Sequence, residues 1–243
     1  MHSVAITIPV YKAALNLLEQ FSLDYLLTKA VGRKLIFVGP LGLDTRYYAE
    51  RYPDIVFELY DDCFFKSIAG YNELMLSAEF YARFAAYDYI LIHQTDALLF
   101  KDNLNEWVEQ GYAYVGAPWP SGMTLNLGPE DSAFFGGSTF QAYVGNGGFS
   151  LRHVQRCMAI LEEASRLRAL WRTHQLNEDC FFAFAGLLHT SFSVPTPSVA
   201  SRFALELEPE RYVAMNQGEI PTGCHAWWKH DFPFWQKVIS VVK

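Results

Sequence analysis

Residues 87–100 constrain the fold more than any other part of the chain. A short apolar run of β-branched and aromatic side chains there stops abruptly on polar ones. Tyr89-Ile90-Leu91-Ile92 reads as a strand buried on both faces, and His93, Gln94, Thr95 and Asp96 follow before the chain turns apolar again. Polar groups at the carboxyl end of a buried strand lie where open α/β sheets place their ligands. Taken alone, Asp96 would equally serve to cap the next turn.

The chain before this stretch supplies the rest of such a sheet. Residues 4–10 read as a first strand, with Pro9 ending its hydrogen-bonded part. Tyr11 and Lys12 then sit at a strand-to-helix turn, the usual place for nucleotide contacts in a doubly wound sheet. A helix over 13–30, a strand over 34–38, a short helix over 44–52 and a strand over 56–60 follow. Helical spacing of Tyr71, Leu74, Met75 and Ala78 predicts one long helix over 64–85. Lys66 and Ser67 fall in or just before its first turn, where an anion would meet amide N–H groups and an ammonium; a solvated surface lysine is the plainer account. This alternation argues for an α/β domain with a largely parallel sheet.

Three further stretches carry chemistry. After a short helix over 104–110 and a strand over 112–120, residues 121–141 lose periodicity and gain glycine and polar residues. A loop of that length between structured motifs is expected to be a mobile active-site flap. Gly145-Asn146-Gly147-Gly148 permits close approach of backbone to a ligand, or a tight turn, before a strand and a helix over 153–170. Glu178 and Asp179 open an aromatic helix over 180–187; there they would balance the helix dipole or present a general base to a cleft. Finally, Gly223, His225, Trp227, Trp228, Lys229, His230 and Asp231 concentrate ligand-type and stacking side chains near the end of the chain.

Composition narrows the class. With 243 residues, 51% hydrophobic and 16% aromatic, one domain with a sizeable core is expected. A formal net charge of −7 without a basic run argues against nucleic-acid binding. Cys63, Cys157, Cys180 and Cys224 form no CxxC pair, so buried free thiols in a reducing compartment are expected. No apolar run reaches the ~18 residues of a spanning helix and no signal pattern opens the chain, which predicts a cytoplasmic protein.

These motifs together resemble nucleotide-sugar-dependent glycosyltransferases of the GT-A fold. More closely, the chain looks like a family of GT-A-type proteins with a strand ending Gln-x-Asp, then Gly-Ala-Pro-Trp, Gly-Asn-Gly-Gly-Phe-Ser-Leu-Arg, Glu-Asp-x-Phe-Phe and a late Gly-x-His-x-Trp. Here these are Gln94 to Asp96, Gly116 to Trp119, Gly145 to Arg152, Glu178 to Phe182 and Gly223 to Trp227. The resemblance implies a single Rossmann-like domain over 1–243, its mostly parallel central sheet flanked by helices. Residues 1–100 would be the nucleotide-binding half and 101–243 the acceptor and catalytic half.

It implies a hexosyltransferase-like enzyme moving a sugar from a nucleotide donor, UDP-sugar favoured, to a carbohydrate hydroxyl with inversion, in surface polysaccharide biosynthesis by family analogy. Pro9, Tyr11, Lys12, Lys66, Gln94, Thr95, Asp96, Asn146, Gly147 and Gly148 would hold the donor. Asp96 and His225 would share one divalent metal, Mn²⁺ or Mg²⁺, although Gln94 stands where such enzymes have a first aspartate. Asp179, then Glu178, is the expected base, and Trp119, Trp227 and Trp228 would face the acceptor. A nucleotidyltransferase on a similar sheet, or a carbohydrate-binding protein with a decayed site, are the alternative readings.

Overall fold

Every residue of β1 (Val4–Pro9) is buried, so the strand belongs inside a sheet covered on both faces. The computed structural model, which describes residues 3–241, places it there. Asn16 caps α1 (Leu17–Lys29) by accepting the Leu18 and Glu19 amides, while the Glu19 carboxylate accepts the Asn16 N–H in return. β2 (Lys34–Pro40), α2 (Arg46–Arg51) and β3 (Val56–Tyr60) continue the alternation, followed by α3 (Ile68–Met75), α4 (Ala78–Ala82) and β4 (Tyr89–His93). Next come β5 (Leu98–Leu99), α5 (Leu104–Glu109), β6 (Tyr114–Val115), β7 (Pro118–Asn126), α6 (Pro129–Phe135), β8 (Thr139–Val144) and β9 (Phe149–His153). The remainder is α7 (Val154–Glu163), α8 (Ser165–His174), α9 (Glu178–Leu188), α10 (Pro197–Phe203), β10 (Ala204–Leu205), α11 (Pro209–Met215), β11 (Gly223–Cys224) and α12 (Phe232–Val241).

The main sheet runs β3-β2-β1-β4-β9-β6. Its first four strands are parallel, but β9 is antiparallel to both β4 and β6, so the sheet is mixed rather than mostly parallel. The reason is local. The Gly145–Gly148 loop lies at the carboxyl end of β4, where the Gln94 N–H donates to the Gly148 carbonyl, and β9 has to run back from it.

Side chains alternate across the sheet and feed two cores. Ala5, Ile36, Val38, Ile90 and Ile92 face Leu74, Phe80 and Phe181 on one side. Ile6, Ile8, Phe37 and Leu91 face Leu23, Tyr48, Trp107 and Phe203 on the other. A third cluster around Trp227 and Trp235 underlies β5 and β11.

Other expectations change as well. The single helix over 64–85 is a 3-10 turn (Asp62–Phe65) followed by α3 and α4; the Ser77 hydroxyl accepts the Phe80 N–H and starts a new helix. Residues 121–141 are no irregular flap but the body of the β7–β8 hairpin with α6 at its tip. Both faces of that hairpin are largely exposed, which removes the alternation that marks a half-buried strand. The helix over 153–170 divides at Ala164 into α7 and α8. All four cysteines are free, and Cys63, unlike the other three, is exposed. No helix among the described residues is long and apolar enough to cross a membrane.

Candidate active site

The carboxyl ends of β1 and β4 open on a cleft of about 830 Å³. Strand register assembles its centre. Leu98 pairs with Cys224 and Leu99 with Gly223 across β5 and β11, so Asp96, just before β5, meets His225, just after β11. Asp96 Oδ1 lies 3.2 Å from His225 Nε2, and Gln94 Oε1 lies 3.1 Å from the same nitrogen. Lys229 Nζ donates to the other oxygen of Asp96 at 2.6 Å, and Glu206 Oε1 is 3.4 Å from His225 Nδ1. Burial opposes charge on both central groups, but their partners outweigh it. The Asp96 carboxyl is held well below the usual carboxylate range by His225 and Lys229, and the His225 imidazole is raised to about 9 by Asp96 and Glu206. His93, fully enclosed beneath, is pushed down to about 4 by burial and is neutral at pH 7.

The wall opposite is built by α9. The Asn72 side chain accepts the Glu178 N–H and donates to Asn177, while the Trp171 indole N–H donates to the Asn177 carbonyl. These bonds fix the helix start where its first two carboxylates border the cleft. Glu178 Oε1 accepts from Arg152 at 3.0 Å, and Arg152 is completely buried on β9 beside the stacked Tyr114 and Phe182 rings. Glu178 Oε2 has no hydrogen-bond partner among the described residues. Asp179 accepts the Cys180 N–H at 2.7 Å and the Gly147 N–H at 3.3 Å. Burial pushes its carboxyl above the usual range against those two donors.

The Gly147-Gly148 pair joins the two walls. A β-carbon on Gly148 would run into the His225 ring, and one on Gly147 would run into Glu178 Oε1. Glycine is therefore required at both positions by close approach. Asn146 adopts φ 39° and is buried, its Oδ1 unpartnered among the described residues. At the end of β1, Lys12 donates to Glu19 at 2.6 Å and Thr95 to the same oxygen at 3.3 Å. Pro9, Tyr11 and Lys66 also line the cleft.

The structure thus gathers all the expected donor, metal and carboxylate residues around one cavity, with Trp119 and Trp228 at its edge. Trp227 departs from the expectation. Its indole N–H donates to the buried Ser22 hydroxyl at 2.8 Å and its ring packs on Phe21 and Phe232, so it is a core residue. Sequence reasoning gave no site role to Lys229, Glu206, Asn72 or Tyr71. Lys229, four residues beyond His225 in an aromatic run, carried a readable signal, whereas Asn72 and Tyr71 were hidden inside a helical pattern.

A divalent cation can be tested against this centre. Adjacent ligands ~2.1 Å from one ion lie about 3 Å apart, which is the spacing of His225 Nε2 from Gln94 Oε1 and from Asp96 Oδ1. The donor set fits Mg²⁺ or Mn²⁺, with one carboxylate and the remaining positions left to phosphate and water. No group of three or more His, Cys, Asp and Glu side chains among the described residues forms a self-sufficient metal cage.

A family profile described as "Protein of unknown function (DUF5672)" matches residues 54–225, well over half of the chain. The chain belongs to this family. The matched span holds Gln94 to Asp96, the Gly145–Gly148 loop, Glu178 and Asp179, and ends on His225, so the family covers the centre of the cleft. No curated protein matches. Among solved structures, the apo crystal structure of mouse xyloside xylosyltransferase 1 shares the fold at a TM-score of 0.54. The two chains are 14% identical, with 92% of this chain and 97% of that one covered.

Proposed function

We propose that the protein is a glycosyltransferase of the GT-A type that moves a sugar from a nucleotide-sugar donor to an acceptor hydroxyl. One observation carries the reading. Gln94, Asp96 and His225 converge at a strand end while Asp179 borders the same cleft, on a fold that a xylosyltransferase also has. A UDP-sugar, inversion at the anomeric carbon and a Mn²⁺ or Mg²⁺ requirement are the finer parts of the proposal.

The donor diphosphate would lie over Asp96 and His225, with Tyr11 and Lys12 toward its nucleoside. When bound, the cation offsets negative charge developing on the departing diphosphate. Lys229 would add a second cation: one of its three N–H donors goes to Asp96, and the others would serve phosphate oxygens. Asn146 and Glu178 line the cleft, and Asn146 Oδ1 and Glu178 Oε2, without partners among the described residues, would accept bonds from sugar hydroxyls once side-chain movement uncovers them.

Asp179 is the better base of the carboxylate pair. A proton on Glu178 would leave Arg152 as an uncompensated buried cation, whereas Asp179 is held by the Cys180 and Gly147 N–H groups and can take a proton without stranding a cation. The acceptor oxygen bonds the anomeric carbon as its proton passes to Asp179. The bond from that carbon to the diphosphate oxygen breaks, and its electron pair leaves with the nucleoside diphosphate.

Titration calorimetry with UDP, GDP and CDP, each with and without Mn²⁺, tests the reading directly. Micromolar to millimolar affinity for one of them, strengthened by Mn²⁺ and followed by nucleotide release from its sugar conjugates, is expected. A protein that binds none of the three in either condition is no such transferase.

A further inference from the structure

Beside the main cleft lies a second cavity of about 500 Å³ that shares Trp119 and Lys229 with it as common walls. Its size is within the range of small-ligand sites. One side is made by β7 where that strand leaves its partner. Pro118 pairs with Val144 and Met123 with Ala142, so residues 119–122 bulge out of register. Bulges of this kind re-aim side chains beside functional sites. Trp119 starts the bulge, and its ring lies against bare backbone, because a β-carbon on Gly145 would collide with it. The other side carries Glu208, His230 and Asp231. Glu208 and Asp231 hold left-handed backbone at φ 48° and 51°, a conformation that costs energy for residues other than glycine.

We propose that this second cavity is the groove for an oligosaccharide acceptor and holds the sugar residues beyond the one that reacts. The inference rests on the transferase reading above and deepens it by naming the acceptor class. Its lining is that of a sugar site: an aromatic ring for the apolar face of a pyranose, with carboxylates and an imidazole for hydroxyls. Glu208 is paired with Arg211 and Lys229 with Asp96, each at 2.6 Å, so no single-sign field selects a charged polymer. Continuity across Trp119 fixes the direction, with the reacting end at Asp179 and the rest of the glycan leading out past Met123 and Asp231.

The test compares binding of neutral mono-, di-, tri- and tetrasaccharides from a glycan panel to the full chain, with and without UDP and Mn²⁺. Affinity is expected to rise roughly tenfold or more from the monosaccharide to the trisaccharide of one series. Met123→Arg, which sets a long cation beside the Glu208 and Asp231 carboxylates of the groove, should abolish that gain and leave monosaccharide and UDP affinity unchanged. Asp231→Asn should reduce the gain in a protein of unchanged circular dichroism. Length-independent affinity, binding of UDP but of no saccharide, or a gain that survives Met123→Arg overturns the proposal. Saccharide binding with the expected length dependence but no UDP affinity would instead overturn the transferase reading and leave the groove standing.

Discussion

Arg152 is 0% exposed and cannot shed its proton, which makes its pairing with Glu178 the strongest stability prediction of the site. In Glu178→Leu the guanidinium would keep the Ser150 and Tyr81 hydroxyls, at 2.9 and 3.0 Å, but lose its counter-charge. Stranding one member of a buried ion pair costs ~3–5 kcal/mol, a large share of the ~5–15 kcal/mol that holds a domain folded. For a chain of this length that is a fall in Tm on the order of 6–20 °C.

Arg152→Met leaves the opposite orphan, and the two variants differ in pH dependence. A buried carboxyl neutralises by taking a proton, and burial already raises Glu178 against the pull of Arg152. With the folded pKa above the unfolded value of about 4.3, the stabilisation is fully present below pH ~4.3. It is lost as pH rises through the folded value. Arg152→Met should therefore grow less stable relative to wild type from about pH 4.3 upward, whereas Glu178→Leu shows its full deficit only above the folded pKa of Glu178 and a smaller one in acid, where the wild-type carboxyl is protonated as well. The Arg152→Met/Glu178→Leu double variant should lose less than the sum of the single losses. Urea unfolding followed by circular dichroism, at several pH values, reads all three. A Glu178→Leu protein within 1 kcal/mol of wild type, on the scale of an exposed pair, would refute the argument.

Four further outcomes follow from the site. Asp179→Asn should keep nucleotide affinity and slow transfer on the order of 10²-fold or more, measured as paired calorimetry and UDP-release rates. Asp96→Asn should abolish the Mn²⁺-dependent part of UDP affinity, and wild type should bind Mn²⁺ alone weakly, because the chain supplies one carboxylate; a Mn²⁺ titration without nucleotide checks this. Gly148→Ala should displace the His225 ring and weaken Mn²⁺-dependent UDP binding in a protein that still folds. Trp227→Phe should lower Tm through the lost bond to Ser22 while leaving acceptor affinity unchanged, in keeping with a core role.

The strands and their cleft-side ends were legible because a buried strand writes its boundaries as a switch from apolar to polar residues. Val4 to Pro9 and Tyr89 to His93 both obey it. The direction of β9 was not legible, since Phe149-Ser150-Leu151 is buried on both faces and reads the same in either orientation. The β7–β8 hairpin escaped because a strand exposed on both sides leaves no periodic trace. Asp96, His225 and the Glu178-Asp179 pair stood out by residue type at element ends, and Lys229 lay in the marked run after His225, but which groups they pair with did not show. Lys229 and Glu206 reach Asp96 and His225 only through the pairing of β5, β10 and β11, three two-residue strands too short to announce themselves.

That pairing also explains why the glycine loop matters to both halves of the site. β5 is fixed by β11, β4 by β9, and the Gly148 carbonyl binds the Gln94 N–H, so the loop cannot shift without disturbing the strand end that carries Asp96. Gly148 meets His225, while one residue earlier the Gly147 N–H donates to Asp179 and the Gly147 carbonyl accepts the Ser150 hydroxyl next to Arg152. The distance between the donor centre and the carboxylate wall is therefore set by a two-residue spacer whose side chains are both absent for steric reasons. On the transferase reading that distance has to be held closely, since misplacement by ~1 Å costs about 10²-fold in rate. A spacer lengthened by one residue should accordingly harm transfer more than nucleotide or saccharide binding, because it changes the separation of the halves, whereas a bulkier residue at Gly147 or Gly148 also pushes on Glu178 or His225 and so disturbs one half itself.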